Sequence, residues 1–226
     1  MKKLALVFGG TRGIGAACVE ALKVDCEVAF TSVSGSAGLR VDIQKPEEVK
    51  AAFDQVEKEY GRKVDCVVCN AGINVPPGPM AQFDPSNFRK LVEVNIVGAF
   101  NVLAEAARRV ADGGSIVALT TSLVRHAAPG VGPYSASKAA VESLVRSMAK
   151  ELSARKVRVN AVAPGPVDTD LFHAGKTEEV KARMAALSPL NRIGQPREVA
   201  DVVAFLASDK AAWVQGQVVQ PNGGMV

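Results

Sequence analysis

Short apolar runs alternate along this chain with longer stretches in which apolar residues recur every three or four positions. The short runs predict strands at Leu4–Phe8, Glu27–Thr31, Leu39–Val41, Cys66–Cys69, Ser115–Thr120, Arg158–Val162 and Gln217–Gln220. The longer stretches predict amphipathic helices, with Val49, Phe53 and Val56 on one and Val199, Val202, Val203 and Leu206 on another. "KPEEV" from Lys45 and "QPREV" from Gln195 place a proline and acids where helices begin. Strands and helices alternating to the end predict an α/β fold: one doubly wound, Rossmann-type parallel sheet of about seven strands with helices on both faces. No linker or repeat divides the sequence, so residues 1–226 are expected to form one catalytic domain.

One connection breaks the pattern. Only seven residues, "SVSGSAG", separate Glu27–Thr31 from Leu39–Val41. A parallel crossover takes a dozen or more residues and normally contains a helix. The helix after the second strand is therefore expected to be missing, with a small flexible loop in its place.

Composition narrows the class. With 226 residues and 48% of them hydrophobic, the chain has enough apolar mass for a sizeable core. The net charge of +4 is spread out with no basic run, which points away from nucleic acid. No apolar stretch reaches the length of a membrane span. The run after "MKK" is too short for a signal peptide and reads as a buried first strand. Cys66 and Cys69 form a C-x-x-C, but residues three apart on a strand face opposite sides and share no ligand easily. His126 and His173 lack partners at metal-ligand spacing, so no metal site is expected. Reduced, buried thiols, Cys18 and Cys26 included, suit a cytoplasmic protein.

The candidate chemistry begins with glycines. "LALVFGGTRGIGAACVEAL" reads as strand, glycine turn and helix, with Gly9, Gly13 and Gly15 in G-x-x-x-G-x-G spacing. Such a turn brings backbone close to a pyrophosphate, and the helix behind it offers free amides and the positive end of its dipole. An NAD site usually holds the ribose hydroxyls with an acid after the second strand. Here that position offers Ser32, Val33 and Ser34, with Arg12 inside the glycine turn. A cation and hydroxyls suit a 2′-phosphate, so NADP(H) is favoured and NAD(H) stays possible; the bland alternative leaves Arg12 facing solvent.

"GPYSASKAA" then places Tyr134 and Lys138 four residues apart, neighbours on a helix. A tyrosine ionises near pH 10 and is a poor acid near neutrality, and a nearby ammonium lowers that value. Chance surface pairing is the plain alternative.

Taken in order, "GGTRGIG", "VDI" at Val41–Ile43, "CNAG" at Cys69–Gly72, "VNIVGAF" at Val94–Phe100, "LTTS" at Leu119–Ser122, "YSASK", "VNAVAPGPVDTDL" at Val159–Leu171 and "VQPNGG" at Val219–Gly224 resemble the short-chain dehydrogenase/reductases. The likeness covers essentially the whole chain and looks closest to the reductases of 3-oxoacyl carrier proteins and related ketoreductases. It implies an oxidoreductase that exchanges a hydride between a nicotinamide and a carbonyl or alcohol. Tyr134 would be the acid/base, and Lys138 would hold the ribose and lower the tyrosine pKa. Asn95 would anchor a relay water. The turn, including Thr11, Arg12 and Ile14, would hold the phosphates, and Asp42 and Ile43 would flank the adenine. Asn70, Ala71 and Gly72 would line the cofactor. Pro164, Gly165, Val167 and Thr169 would hold the carboxamide, with the Val167 backbone and Thr169 hydroxyl as contacts.

The family's serine falls thirteen residues before the tyrosine; here Thr121 occupies that place and Ser122 follows it. Spacing favours Thr121 and residue type favours Ser122, so both stay candidates. Selectivity is expected in the segments Ile73–Asp84 and 171–195, where Leu171, Phe172, Met184 and Leu187 suggest a partly apolar pocket. A dinucleotide-binding sensor or scaffold without catalysis is the rival reading. The resemblance also implies a homotetramer or homodimer, and two helices with apolar residues on more than one face agree: one with Leu91, Val94, Val97, Leu103 and Ala106, the other with Ala139, Ala140, Val141, Leu144, Met148 and Ala149.

Overall fold

The computed structural model describes residues 2–35 and 37–226. Seven parallel strands form one sheet in the order β3-β2-β1-β4-β5-β6-β7. They are β1 Lys3–Phe8, β2 Cys26–Ser32, β3 Leu39–Arg40, β4 Cys66–Cys69, β5 Ser115–Leu119, β6 Arg158–Val162 and β7 Val218–Val219. Each lies at its predicted place, and the two edge strands are shorter than expected.

The apolar runs are continuous because the central strands are covered on both faces. Along β1, Leu4, Leu6 and Phe8 enter one core while Ala5 and Val7 enter the other. The first core is closed by α2 Pro46–Tyr60, α4 Ala99–Arg109 and α6 Gly132–Glu151. The second is closed by α1 Gly13–Leu22 and α9 Pro196–Ala207, which pack against each other. Cys66 joins the second core and Cys69 the first, so the C-x-x-C thiols point to opposite faces. Burial pushes the Cys66 thiol up to about 12 and Cys69 to about 11, which keeps both protonated and unreactive.

The helix signals act as read. α2 has Pro46, Glu47 and Glu48 in its first turn and ends on Gly61 at φ 65°. α9 starts with a capping box between Gln195 and Glu198. The stretch read as one helix through Leu91, Val94, Val97, Leu103 and Ala106 differs: α3 Pro85–Leu91 and α4 are joined by a π-helical turn, Val92–Gly98. Four-residue α5, Leu123–His126, follows β5; α7, Asp170–His173, and α8, Glu178–Ala185, lie between β6 and α9.

Among the described residues no helix joins β2 to β3. Ser36, inside that connection, lies outside the described residues. The loop folds back over the sheet: Gly38, at φ 70°, sits so close to Phe30 that a Cβ there would come within 2.7 Å of the ring. Only glycine permits that approach, and through it the loop covers Phe30 where a helix would otherwise pack.

Candidate active site

The strand order reverses between β1 and β4, and the crevice at their carboxyl ends is where a doubly wound sheet takes its ligand. A cleft of about 340 Å³ opens there. Its wall contains Gly9, Thr11, Arg12, Gly13 and Ile14 from the glycine turn. Asp42 and Ile43 contribute from beyond β3, Asn70, Ala71 and Gly72 from beyond β4, and Thr169 from the far side.

The turn is tight for a physical reason. A Cβ on Gly15 would lie 1.9 Å from the Gly9 carbonyl oxygen, so the first turn of α1 rests directly on the strand end. The Asn70 amide locks it by donating to the same oxygen at 2.7 Å. Gly15 thus supports the turn from below, and is absent from the cleft wall. Arg12 is exposed, and among the described residues it makes no ion pair.

The other proposed contacts divide. Ser32 is buried and committed: its hydroxyl donates to the Ala37 carbonyl at 3.0 Å and accepts from the Gly35 amide at 3.0 Å. It closes the loop on itself and has no hydrogen left for a phosphate. Ser34 is exposed and outside the cleft wall. Pro164, Gly165 and Val167 also lie behind the wall. Gly165 packs against Asn222, and Val167 pairs with Gly194. The Thr169 hydroxyl caps α7 by accepting from the Phe172 amide at 3.2 Å, while its methyl group faces Gly13 across the cleft.

The catalytic end is built by α6, β5 and the π turn. Tyr134 lies in the first turn of α6, and Lys138 follows one turn later. The Lys138 ammonium is buried and donates to the Leu119 carbonyl at 3.1 Å. A Cβ on Gly72 would meet both Lys138 Nζ and Asn95 Oδ1 at 3.1 Å, so this glycine in the cleft wall leaves room for the lysine head. Asn95 sits in the middle of the π turn, almost wholly buried. Its Oδ1 accepts from the Ile73 amide at 2.9 Å, and its Nδ2 donates to the Ile73 carbonyl at 2.9 Å and to Ser137 Oγ at 3.1 Å. The side chain is therefore a clamp between the β4 loop and α6. Ser137 completes it by donating to the Tyr134 carbonyl at 2.7 Å. π turns recur at functional sites, which fits this placement.

Thr121 and Ser122 differ in what their hydroxyls already do. Ser122 Oγ donates to the Ala163 carbonyl at 2.7 Å and accepts from Asn222 Nδ2 at 3.0 Å. Thr121 Oγ1 only accepts, from the Leu123 amide at 3.3 Å, and keeps its hydrogen. A hydroxyl with a free proton is the one that can donate to a substrate oxygen.

The tyrosine differs from expectation. Burial pushes the Tyr134 phenol up to about 12, and the same cause pushes the Lys138 ammonium down. Desolvation is the cause that acts on the phenol in the free protein. Ser137 and Asn222 were missed by sequence reasoning. Ser137 lies inside "YSASK", where a helical wheel puts it beside Asn95's segment only once the fold is known; Asn222 meets Ser122 across 100 residues, with no local signal.

Comparisons with known proteins agree with this architecture. The enoyl-(acyl carrier protein) reductase family model matches residues 9–226. An NADPH-dependent aldehyde reductase-like protein, chloroplastic, from Arabidopsis thaliana is 36% identical, covering 99% of this chain and 94% of its own. A blue fluorescent protein from a metagenomic library, solved in complex with NADPH, superposes with a TM-score of 0.90 at 32% identity, over 99% of this chain and 98% of its own. A short-chain dehydrogenase/reductase from Serratia marcescens BCRC 10948 gives a TM-score of 0.89 at 30% identity, over 99% and 97%. The chain belongs to the short-chain dehydrogenase/reductase family.

Proposed function

We propose that the protein is an NADP(H)-dependent oxidoreductase acting on a carbonyl/alcohol pair, with Tyr134 as the general acid/base. One observation carries the reading. The buried Lys138 ammonium lies directly behind Gly72 in the cleft wall, so the Tyr134–Lys138 turn and the dinucleotide cleft are parts of one site. The residues fit the cofactor: a glycine turn, the amides opening α1 and Arg12, which makes no ion pair among the described residues, suit an anionic dinucleotide. The relatives named for NADPH support the same choice.

Bound NADPH supplies the hydride. In reduction the Tyr134 phenol gives its proton to the carbonyl oxygen, and in oxidation it takes the proton back. A phenol held near 12 by burial stays protonated at neutral pH, the form that reduction requires. Lys138 stands one turn away and would hold the nicotinamide ribose. The free Thr121 hydroxyl steadies the substrate oxygen, and Ser122 holds the strand end in place. Asn95 fixes the β4 loop against α6 and positions the lysine.

The substrate sits between the segments 73–84 and 171–195. The first is pinned near the start of α6 by the Gly78 amide donating to the Gly130 carbonyl at 3.0 Å, and Met80 Cε would stand 3.1 Å from a Cβ on Gly132. Met80 and Leu171 are exposed beside the site, which suits a partly apolar carbonyl compound such as an aldehyde, a ketone or a 3-oxoacyl thioester. The four free, buried thiols support cytoplasmic residence. Among the described residues no helix is long and apolar enough to cross a membrane.

The test is oxidation of NADPH by purified protein with aldehydes, ketones, quinones, sugars and 3-oxoacyl thioesters. Turnover on at least one class, lost in Tyr134→Phe, supports the reading. Tight NADPH binding without turnover on any class favours the sensor instead. The protein also self-associates in this reading, as a homotetramer or homodimer. Phe100 and Val97, exposed along α4 and the π turn, form the apolar stripe to be covered. Light scattering that returns a single mass of 23.6 kDa overturns it.

A further inference from the structure

A helix that follows the second strand of a doubly wound sheet begins beside the adenosine end of the crevice, and its N-terminal amides and dipole attract phosphate. This chain has no such helix among its described residues. Its substitute loop is closed by Ser32, which spends its hydroxyl on Ala37 and Gly35. Neither a helix dipole nor the Ser32 donor is present for a 2′-phosphate.

Positive charge reaches this end on side chains. Arg12 lines the cleft from the glycine turn. Arg40 closes β3 one residue before Val41, which lines the cleft, and itself stands outside the wall, with its Cα paired to that of Ser32. Its aliphatic stem runs along the loop tip: a Cβ on Gly35 would stand 3.1 Å from Arg40 Cβ and 3.4 Å from its Cγ and Cδ. Gly35 thus gives the stem its path past the residues that follow β2, where Val33 enters the cleft wall. Arg40 is exposed, and among the described residues it forms no ion pair. Glu48 feels its charge through space, but that carboxylate is already held by Lys45 Nζ at 2.8 Å and the Asp42 amide at 2.8 Å. From Thr31 to Arg40 the sequence has no acid.

We propose that Arg40 is a second ligand of the cofactor's 2′-phosphate, forming with Arg12 a two-guanidinium clamp that replaces the absent helix N-terminus and sets the preference for NADP(H) over NAD(H). The proposal rests on the NADP(H) reading of the cleft. Two exposed cations act through charge that salt screens, so the preference falls as ionic strength rises towards about 0.5 M.

Calorimetric binding of 2′,5′-ADP and 5′-AMP to the free protein tests this without turnover. The two probes differ only in the 2′-phosphate. The wild-type protein should bind 2′,5′-ADP at least about tenfold more tightly than 5′-AMP. Arg40→Met keeps the stem against Gly35 and removes the charge. It should cost about tenfold for 2′,5′-ADP and nothing for 5′-AMP, and Arg40→Lys should recover part of the loss. If Arg40→Met keeps the wild-type ratio, the clamp is wrong while NADP(H) binding stands. Equal weakening of both probes shows Arg40 supporting the loop only, and also overturns the clamp. No 2′-phosphate preference in the wild type removes the clamp and the NADP(H) preference together.

Discussion

The two ends of the cleft are made differently. At the catalytic end Tyr134, Lys138 and Asn95 sit on helical elements, and buried hydrogen bonds fix the groups around the phenol. Lys138 is tied to Leu119, Asn95 to Ile73 and Ser137, and Ser122 to Ala163 and Asn222. At the adenosine end a loop closes on its own serine, and two exposed arginines have no partner ion among the described residues. Chemistry that moves a proton needs groups held to a fraction of an ångström. Holding a phosphate by charge tolerates looser geometry, because Coulomb attraction changes slowly with distance.

The sharpest way to break this contrast is to remove the proton donor alone. Tyr134→Phe deletes one oxygen from an otherwise unchanged first turn of α6. Turnover should fall by about 10²–10⁴-fold, with NADPH affinity unchanged. A variant that keeps near wild-type turnover would mean the catalytic end works through another acid.

The neighbouring hydroxyls separate rate from stability. Thr121→Val removes the free donor and should lower turnover by about 10²-fold with little change in melting temperature. Ser122→Ala leaves the buried Asn222 amide without its acceptor, and should cost about 1–3 kcal/mol of stability with a smaller loss of rate. The reverse ranking in rate would assign the substrate contact to Ser122.

A titration sharpens the same end. Phenolate absorbance assigned to Tyr134, by difference from Tyr134→Phe, should rise near pH 12 in the free protein. The folded state then holds this proton more tightly than the unfolded chain, whose tyrosine ionises near 10. Its contribution to stability is complete below about pH 10 and is lost as the pH climbs through 12. A midpoint at or below 10 would show that Lys138 already dominates without cofactor.

These differences explain what the sequence revealed. The strands were legible because central parallel strands are buried on both faces and read as unbroken apolar runs, as "LALVF" does. The missing helix was legible from loop length alone. Tyr134 and Lys138 were legible because both sit on one helix, where spacing fixes adjacency. The π turn around Asn95 was hidden, since its apolar pattern matches an ordinary helix. So was Asn222, whose partner is distant in the chain. The part played by Ser32 depended on which way a loop hydroxyl turns, and composition carries no such information. Arg40 stayed invisible for a related reason: a lone arginine on a short edge strand has no local pattern, and only the fold lays it beside Gly35.

At the adenosine end the expected effects are smaller. Arg12→Ala should weaken NADPH more than NADH, by about tenfold, because a charge-assisted contact to phosphate contributes about 1.5–3 kcal/mol. Equal losses for both cofactors would show that Arg12 faces solvent only.

Ser32→Ala should do least, and its profile should be the opposite of Arg12→Ala. The hydroxyl joins the Gly35 amide to the Ala37 carbonyl across the loop, at 3.0 Å on each side. Removing it unpairs two backbone groups at a part-buried position, but the residues around them are exposed and water can reach part of the way in. The cost should therefore lie near the lower end for a lost hydrogen bond, about 1 kcal/mol, read as a small fall in the denaturant midpoint. Cofactor preference should not change, since a hydroxyl committed to the loop has no proton to give a phosphate. A serine that touched the phosphate would show the converse: an unchanged midpoint and a clear loss of NADPH affinity relative to NADH. Observing that converse would put the loop hydroxyl among the cofactor contacts and dissolve the difference between the two ends on which the comparison rests.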